Sequence, residues 1–173
     1  MPRSGKFIEQ LVDRHYEAVY RFAYRLTGNV QDAAELTQEA FCVAQERLRQ
    51  LRDPSRARAW LYKIARNLYL QNQRRLQQIP MGDGDLQLAA PPPQHISAEE
   101  VDEEQLQRAL NQLPEEFRTP LVLYYFGEHS YREIADILGI PIGTVMSRIA
   151  RAKEKLRVLL GLGVDSLSGP SAT

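Results

Sequence analysis

Apolar residues recur every three or four positions through the first part of the chain, in three separate series. These series cover residues 8–26, residues 36–48 and residues 57–76. This spacing places apolar side chains on one face of an α-helix. Glycine, asparagine and proline stand between the series, as is typical of helix boundaries. The pattern predicts three helices, the second of which Asn29 or Asp32 can cap.

The second part of the chain shows the same spacing in four shorter series, up to about residue 160. Several residues are suited to begin its helices, because their side chains cap free backbone N–H groups or fit a first turn: Ser97 with Glu100, Pro114, Ser130 with Glu133, and Thr144. No segment alternates apolar and polar residues with period two, as a half-buried strand does. The sequence therefore predicts an all-α protein.

A segment without this periodicity separates the two parts. Residues 79–94 contain four prolines and two glycines, and Pro91-Pro92-Pro93 favours extended polyproline geometry. We predict two small helical domains, residues 1–78 and residues 105–161, joined by a flexible linker over residues 79–104. The last residues, 162–173, are rich in glycine, serine and proline and are predicted to be a disordered tail.

The net charge of zero conceals an uneven distribution. Residues 1–79 have 14 Lys/Arg against 8 Asp/Glu, residues 80–104 have 7 acids and no base, and residues 105–160 have 8 bases against 6 acids. Two basic domains around an acidic linker favour a polyanionic partner such as nucleic acid. Neither a secretion signal nor a membrane-spanning run is evident. Cys42, the single cysteine, is predicted to be a small buried residue.

A helix-turn-helix is predicted near the end of the second domain. A short helix over residues 131–138 is followed by a glycine-containing turn and a basic helix beginning near Thr144, and the small Ala135 allows the helices to approach closely. With Val145 and Ile149 facing the core, the outward residues near the start of the second helix would reach base edges: Met146, Ser147, Ala150 and Arg151. Further along, phosphates could be bound by Arg148, Lys153, Lys155 and Arg157.

Residues 47–75 form a second candidate surface, in which nine Lys/Arg accompany one acid, Asp53. Three aromatic residues, Trp60, Tyr62 and Tyr69, are interspersed with them. Positive charge with aromatic rings suits single-stranded DNA, since the charges bind phosphates and bases stack on rings. Trp60 taken alone is more typical of a core residue than of a stacking platform, and the apolar spacing of the third helix offers the same alternative for Tyr69.

An acidic face on the second helix is the third candidate. Asp32, Glu35 and Glu39 share one side of the helix, and Gln38 lies beside them. Such a face is unsuited to DNA and suited to a basic protein partner. By itself, an acidic helix face is more often simply solvated.

Three segments resemble the sigma-70 family of RNA polymerase sigma factors. Residues 35–41 (ELTQEAF) resemble the D-L-x-Q-E-x-F pattern of region 2.2, and residues 58–67 (RAWLYKIARN), followed by Arg74-Arg75, resemble region 2.3/2.4. Residues 113–118 (LPEEFR) and the helix-turn-helix resemble region 4. The resemblance covers residues 7–78 and 105–160. Because only domains 2 and 4 are present, it indicates the extracytoplasmic-function (ECF) group.

The resemblance implies a role for each surface. The acidic face, consisting of Asp32, Glu35, Gln38 and Glu39, would bind the clamp helices of the polymerase β′ subunit. The break at residues 51–58 would receive a flipped-out base of the −10 element, for which a prepared pocket is needed. The −10 set is Arg52, Arg56, Arg58, Trp60, Lys63, Arg66, Asn67, Arg74 and Arg75. The −35 set is Thr144, Met146, Ser147, Arg148, Arg151 and Lys155.

The same resemblance implies the partners of the whole protein. They are core RNA polymerase, through its β′ clamp helices and β flap, promoter DNA, and an anti-sigma factor that would cover the binding faces. The acidic linker would pass near the active-site and RNA-exit channels. We expect a cytoplasmic bacterial protein without membrane insertion of its own, which an anti-sigma factor could hold at the membrane.

Two residues depart from the family pattern. Met146 stands where such recognition helices commonly have an arginine, so one −35 contact is expected to be apolar or missing. Glu35 replaces the more usual aspartate and provides a longer side chain of the same charge.

Two other functional classes are less well supported by the sequence. A stand-alone helix-turn-helix regulator would leave the basic and aromatic first domain unexplained, and no dimerisation helix is evident. An enzyme would need chemistry that the sequence does not indicate, since His15, His95 and His129 lack metal-ligand spacing and no glycine-rich phosphate loop occurs. We therefore predict neither a catalytic residue, nor a cofactor, nor a metal site.

Overall fold

A computed structural model describes residues 2–78 and 101–162 of the chain. Within these ranges the structure consists of α-helices, two short 3₁₀ helices and connecting turns, and it contains no strand. The prediction of an all-α protein is confirmed. The α-helices are α1 (Pro2–Thr27), α2 (Val30–Glu46), α3 (Ala57–Gln77), α4 (Glu103–Gln112), α5 (Glu115–Tyr125), α6 (Tyr131–Leu138) and α7 (Ile142–Leu159). The 3₁₀ helices, Leu48–Gln50 and Pro54–Arg56, connect α2 to α3.

The first part of the chain folds into α1, α2 and α3, and these helices end close to their predicted ends. Gly28 ends α1 with φ of 70°, a left-handed conformation that favours glycine. Of the two candidate caps for α2, the structure selects Asn29, whose Oδ1 accepts hydrogen bonds from the N–H groups of Gln31 (2.8 Å) and Asp32 (3.1 Å). Asp32 is left free on the helix surface.

The burial of α2 contradicts the prediction for Cys42, which is exposed. The buried residues of this helix are spaced by three and four: Ala33, Leu36, Thr37, Ala40, Phe41 and Ala44. Cys42 follows Ala40 by two positions, which is about 200° around the helix axis. The prediction from the apolar composition around Cys42 was therefore wrong, because the angular position of a side chain around the helix axis decides whether it faces the core.

The second domain begins with α4, whose first turn is fixed by a capping box. Asp102 Oδ1 accepts from the N–H of Gln105 at 2.7 Å, and the Gln105 side chain accepts from the N–H of Asp102 at 3.4 Å. The capping box predicted at Ser97 and Glu100 lies outside the described residues, as do the proline segment of the predicted linker and the tail beyond Leu162. Pro114 precedes α5 as its N-cap residue, one position before its predicted place.

The helix-turn-helix consists of α6 and α7. Ser130 and Glu133 form the predicted capping box of α6, and Gly139 ends that helix with φ of 65°. The last helix begins earlier than predicted, because the carbonyl of Pro141 accepts from the N–H groups of Thr144 (3.0 Å) and Val145 (3.1 Å). Thr144 therefore lies inside the first turn and is not the cap.

The buried apolar residues form one continuous cluster that includes members of both domains. In the first domain, α1 and α3 provide the contact, and α4, α5 and α6 pack against them from the second. This packing determines which residues of the predicted binding surfaces are accessible.

Candidate nucleic-acid and polymerase interfaces

The acidic face of α2 lies entirely on the outside of the first domain. Asp32, Glu35, Gln38 and Glu39 are all exposed. Directly behind them, the buried Thr37 donates to the carbonyl of Ala33 at 2.7 Å, so its hydroxyl is satisfied inside the helix. The structure thus presents the predicted polymerase-binding residues together on one helix surface.

The connection between α2 and α3 exposes the positive charge of Arg52 and Arg56. The nearby Asp53 is engaged within its own loop, since Oδ1 accepts from the backbone N–H (2.9 Å) and the hydroxyl (2.7 Å) of Ser55. These hydrogen bonds, chiefly the one from the hydroxyl, lower the pKa of Asp53. The carboxylate shapes the loop and leaves the two arginines available.

The aromatic residues of α3 differ from the prediction. Tyr62 is 1% exposed and Tyr69 is 5% exposed. The Tyr62 ring stacks on Phe22 with a centroid distance of 4.6 Å, so it is a core residue and offers no surface to a base. The prediction of an accessible stacking ring is therefore wrong for Tyr62, and for Tyr69 the structure selects the alternative position on the apolar face of the helix. Trp60 is half-buried and retains an accessible part.

The predicted −10 residues of α3 other than Trp60 fall into two groups. Lys63, Asn67, Arg74 and Arg75 are exposed to solvent. Arg58 and Arg66 are half-buried, and both contact the second domain: Arg58 Nη2 donates to the carbonyl of Gly127 at 3.0 Å, and Arg66 Nε lies 3.3 Å from Glu115 Oε1. The predicted −10 set is therefore only partly accessible.

A cleft of about 740 Å³ lies between the α2–α3 connection and α6. Its first-domain wall is basic, and the facing wall is acidic through Glu128, Glu133 and Asp136. Basic residues at the cleft include Arg52, Arg56, Arg58 and Lys63, beside Trp60. The loop predicted to receive a flipped base thus opens into a cavity whose opposite wall belongs to the helix-turn-helix domain.

The outward face of α7 matches the predicted recognition surface. Val145 and Ile149 are buried, and Met146, Ser147, Ala150 and Arg151 are exposed. Ile142 and Met146 are 47% and 51% exposed. With Ala150 they form an apolar stripe, since residues four apart share a helix face. Thr144 and Arg148 are half-buried at the opposite edge of the outward face, away from this stripe.

Two basic residues near the end of α7 lie away from the recognition surface. Lys155 Nζ lies 5.5 Å from the centre of the Phe117 ring, on the side of α5. Arg157 donates to Glu154 Oε1 at 2.6 Å and to the carbonyl of Leu162 at 2.9 Å. The hydrogen bond to the Glu154 carboxylate raises the pKa of Arg157. Arg157, which the sequence suggested as a phosphate ligand, is therefore occupied.

Two negative findings concern the residues that the structure describes. No three His, Cys, Asp or Glu side chains among residues 2–78 and 101–162 cluster as metal ligands would. In the same ranges, no helix combines the length and the apolar character needed to cross a bilayer.

Known proteins match this chain over both domains. The family Sigma-70 region 2 matches residues 11–79, and Sigma-70, region 4 matches residues 103–156. The ECF RNA polymerase sigma factor SigW of Bacillus subtilis is 32% identical over 160 residues, and the alignment covers 85% of either chain. The chain belongs to the sigma-70 family, in its ECF group. SigE of Mycolicibacterium smegmatis, also an ECF RNA polymerase sigma factor, is 39% identical over 154 residues, which are 86% of this sigma factor and 60% of SigE.

A solved structure shows a similar arrangement. The sigma factor RpoE of Bartonella quintana, in complex with the anti-sigma factor NepR, matches with a TM-score of 0.73 and 28% identity. The match covers 92% of this sigma factor and 99% of the RpoE chain. Both domains are therefore included in the superposition.

Sequence reasoning missed the polar residues that join the two domains of this sigma factor. Gln107, Arg118 and His129 are 4%, 8% and 7% exposed. The first two donate across the domain interface, Gln107 to the carbonyls of Tyr24 and Arg25, and Arg118 to the hydroxyl of Tyr69. Their partners lie 49 to 83 residues away in the sequence, and no local pattern signals contacts of that range.

Proposed function

We propose that this ECF sigma factor binds core RNA polymerase, recognises the −35 and −10 promoter elements and promotes melting of the DNA to initiate transcription. The observation that supports this most directly is the exposed face of α7, which presents Met146, Ser147 and Arg151 beyond a buried Val145 and Ile149. That arrangement suits a recognition helix in the major groove. In the proposal, Thr144 and Arg148 contact the edges of the −35 site and Lys155 a phosphate.

Polymerase docking is assigned to both domains. The exposed carboxylates of α2 would meet the basic clamp helices of the β′ subunit, with Gln38 adding hydrogen bonds. The β flap would contact the second domain. A groove of about 290 Å³ lined by Leu113, Pro114, Val158 and Leu159 supports this assignment, since Val158 is 55% exposed there.

The −10 element is assigned to the first domain. A base flipped out of the duplex would enter the cleft beside the α2–α3 connection, where Arg52 and Arg56 are exposed and Trp60 has an accessible part. The non-template strand would then follow Lys63, Asn67, Arg74 and Arg75 along α3, since positive charge binds its phosphates. Arg58 and Arg66 would join this path once released from the second domain.

Regulation by an anti-sigma factor is the remaining part of the proposal. The similar arrangement of RpoE, which was solved with the anti-sigma factor NepR, supports it. The acidic linker would pass through the polymerase near its active-site and RNA-exit channels. We place the protein in the bacterial cytoplasm, with recruitment to the membrane only through such a partner.

Run-off transcription with purified core polymerase tests the proposed function. The template is a promoter taken from upstream of this protein's own gene. A transcript that depends on added sigma factor is the expected result. If the polymerase gains no activity while the protein alone retards that DNA in a gel, the chain acts as a stand-alone regulator and the proposal is wrong.

Met146 gives a prediction about promoter preference. Thymine presents a methyl group in the major groove, and an apolar side chain recognises it by contact. Replacing single −35 thymines by deoxyuridine should weaken holoenzyme binding about fourfold at one or two positions. This is the change in affinity expected when the burial of one methyl group is lost. A Met146→Ala holoenzyme should show no such sensitivity. Competition binding measures both, and an equal loss in the two proteins would contradict the assignment.

A further inference from the structure

The cleft between the α2–α3 connection and α6 has walls of opposite charge that do not pair with each other. The first wall carries Arg52, Arg56 and Lys63, and the second carries Glu128 and Asp136, all of them exposed. Within residues 2–78 and 101–162, no ion pair connects one wall to the other. A space of about 740 Å³, which is within the usual range of small-molecule sites, therefore lies between unpaired charges of both signs.

The two walls are joined by Arg58, which lines the cleft and donates to the carbonyl of Gly127 at 3.0 Å. Of the acidic side chains on the second wall, Glu133 is committed to the capping box of α6. Its Oε2 accepts from the N–H (2.8 Å) and from the hydroxyl (2.9 Å) of Ser130. The other two carboxylates of that wall are left as acceptors for a ligand.

Glu128 is held in an unfavourable backbone conformation. Its φ is 54°, and in the part of the chain that the structure describes no other residue except glycine has a positive φ. This left-handed region favours glycine. Strained residues of this kind are concentrated at active sites and ligand-binding positions. The carboxylate of Glu128 thus lies at the cleft although glycine would suit the backbone better.

Two further side chains that line the cleft are suited to a ligand. Trp60 is half-buried, and the accessible part of its ring offers a surface on which a base can stack. His129 is 7% exposed, and its buried Nε2 has no hydrogen-bond partner among the described residues. Buried polar groups in native proteins nearly always have such a partner. The cleft therefore combines phosphate-binding charge, a stacking surface and free acceptors.

The free carboxylates of the second wall specify the chemistry of the ligand. A carboxylate only accepts hydrogen bonds. Guanine presents two neighbouring N–H donors, at N1 and N2, to a single carboxylate, whereas adenine, cytosine and uracil place an acceptor beside each donor. Three cations on the opposite wall suit a polyphosphate. A guanine nucleotide carries both groups at opposite ends of one molecule.

We propose that this cleft binds a free guanosine polyphosphate such as GTP, with its phosphates on the three basic side chains of the first wall and its guanine edge on Glu128. Because the ligand contacts both walls, it binds while the two domains are in contact. This binding does not depend on the proposed sigma-factor function. Its consequence does, since the nucleotide occupies the place assigned to the flipped −10 base and competes with it.

Isothermal titration calorimetry of the full chain with GTP, ATP and guanosine tests the proposal. GTP should bind at least about tenfold more tightly than ATP, because paired hydrogen bonds to a base edge discriminate by this factor or more. Guanosine, which has no phosphate for the basic wall, should bind more weakly than GTP by a similar factor. Equal affinities for GTP and ATP, or no binding of GTP at about 1 mM, would overturn the proposal.

Two substitutions of Glu128 separate ligand binding from folding. Glu128→Gln should lower the affinity for GTP at least about tenfold and leave that for ATP unchanged. Its matched control is Glu104→Gln, at an exposed glutamate of α4 outside the cleft, which should bind GTP like the wild type. Glu128→Gly removes the backbone strain, so it should lose the same affinity and melt no lower than the wild type. Unchanged GTP binding by both Glu128 variants would exclude this site.

Fluorescence anisotropy with labelled single strands distinguishes a free nucleotide from a guanine within DNA. Oligo(dT) and the same strand with one central guanine should bind equally, since the acidic wall repels the phosphates on either side of that guanine. A preference for the guanine strand that disappears in Glu128→Gln would assign the site to DNA and contradict the proposal. Selective GTP binding without stimulation of core polymerase would support the nucleotide site and reject the sigma-factor function instead.

Discussion

Glu39→Arg should abolish transcription that depends on this sigma factor, lowering its affinity for core polymerase by at least about 100-fold. Glu39 is exposed on α2 among the other proposed β′ ligands. Reversing its charge removes an attraction and creates a repulsion with a basic partner. Like charges brought together at an interface cost several kcal/mol, and about 2.7 kcal/mol already corresponds to 100-fold in affinity. Run-off yield and co-purification with core polymerase measure the effect.

The control for this experiment is Glu9→Arg. Glu9 is an exposed glutamate of α1 outside the acidic face, and its substitution alters the net charge by the same amount. We expect Glu9→Arg to transcribe like the wild type and both variants to retain the helical circular dichroism spectrum. Equal activity of the two variants would contradict the docking of α2 on the polymerase.

Tyr62→Ala should destabilise the first domain by about 3–5 kcal/mol, the range found when a buried aromatic side chain is truncated. The ring stacks on Phe22 and meets the edge of His129, and the hydroxyl lies 3.3 Å from the carbonyl of Ala18. A melting temperature lower by about 10 °C is expected for a chain of this size. Thermal denaturation followed by circular dichroism measures it.

Two further variants separate packing from DNA binding. Tyr62→Phe retains the ring and loses the hydroxyl, so we expect a loss of only about 1 kcal/mol. Trp60→Ala should leave the melting temperature closer to that of the wild type, because Trp60 is half-buried, and should weaken binding to the melted strand by removing a stacking surface. If Tyr62→Ala melted like the wild type, the assignment of this ring to the core would be wrong.

The local features of this protein were determined by its sequence. Apolar spacing predicted the seven helices, because a helix that packs on one side must repeat its apolar side chains with the helical period. Two starts differ from the prediction: α1 begins at Pro2, before its apolar series, and α4 begins at Glu103, after the predicted cap at Ser97. The capping box of Ser130 and Glu133 was predicted for the same reason, since a helix terminus is satisfied by side chains only three residues apart. The exposed recognition face of α7 followed from the phase of Val145 and Ile149.

The tertiary structure decided which candidate residues are accessible. Cys42 faces solvent and Tyr62 faces the core, although local composition predicted the reverse. Arg58 and Arg66 pair with groups 69 and 49 residues away. The reason is physical: caps and periodicity arise from neighbours along the chain, whereas burial and cross-domain hydrogen bonds depend on how separate helices pack. The sequence thus determined what each helix presents, and only the packing of the two domains determined which side chains remain free to bind.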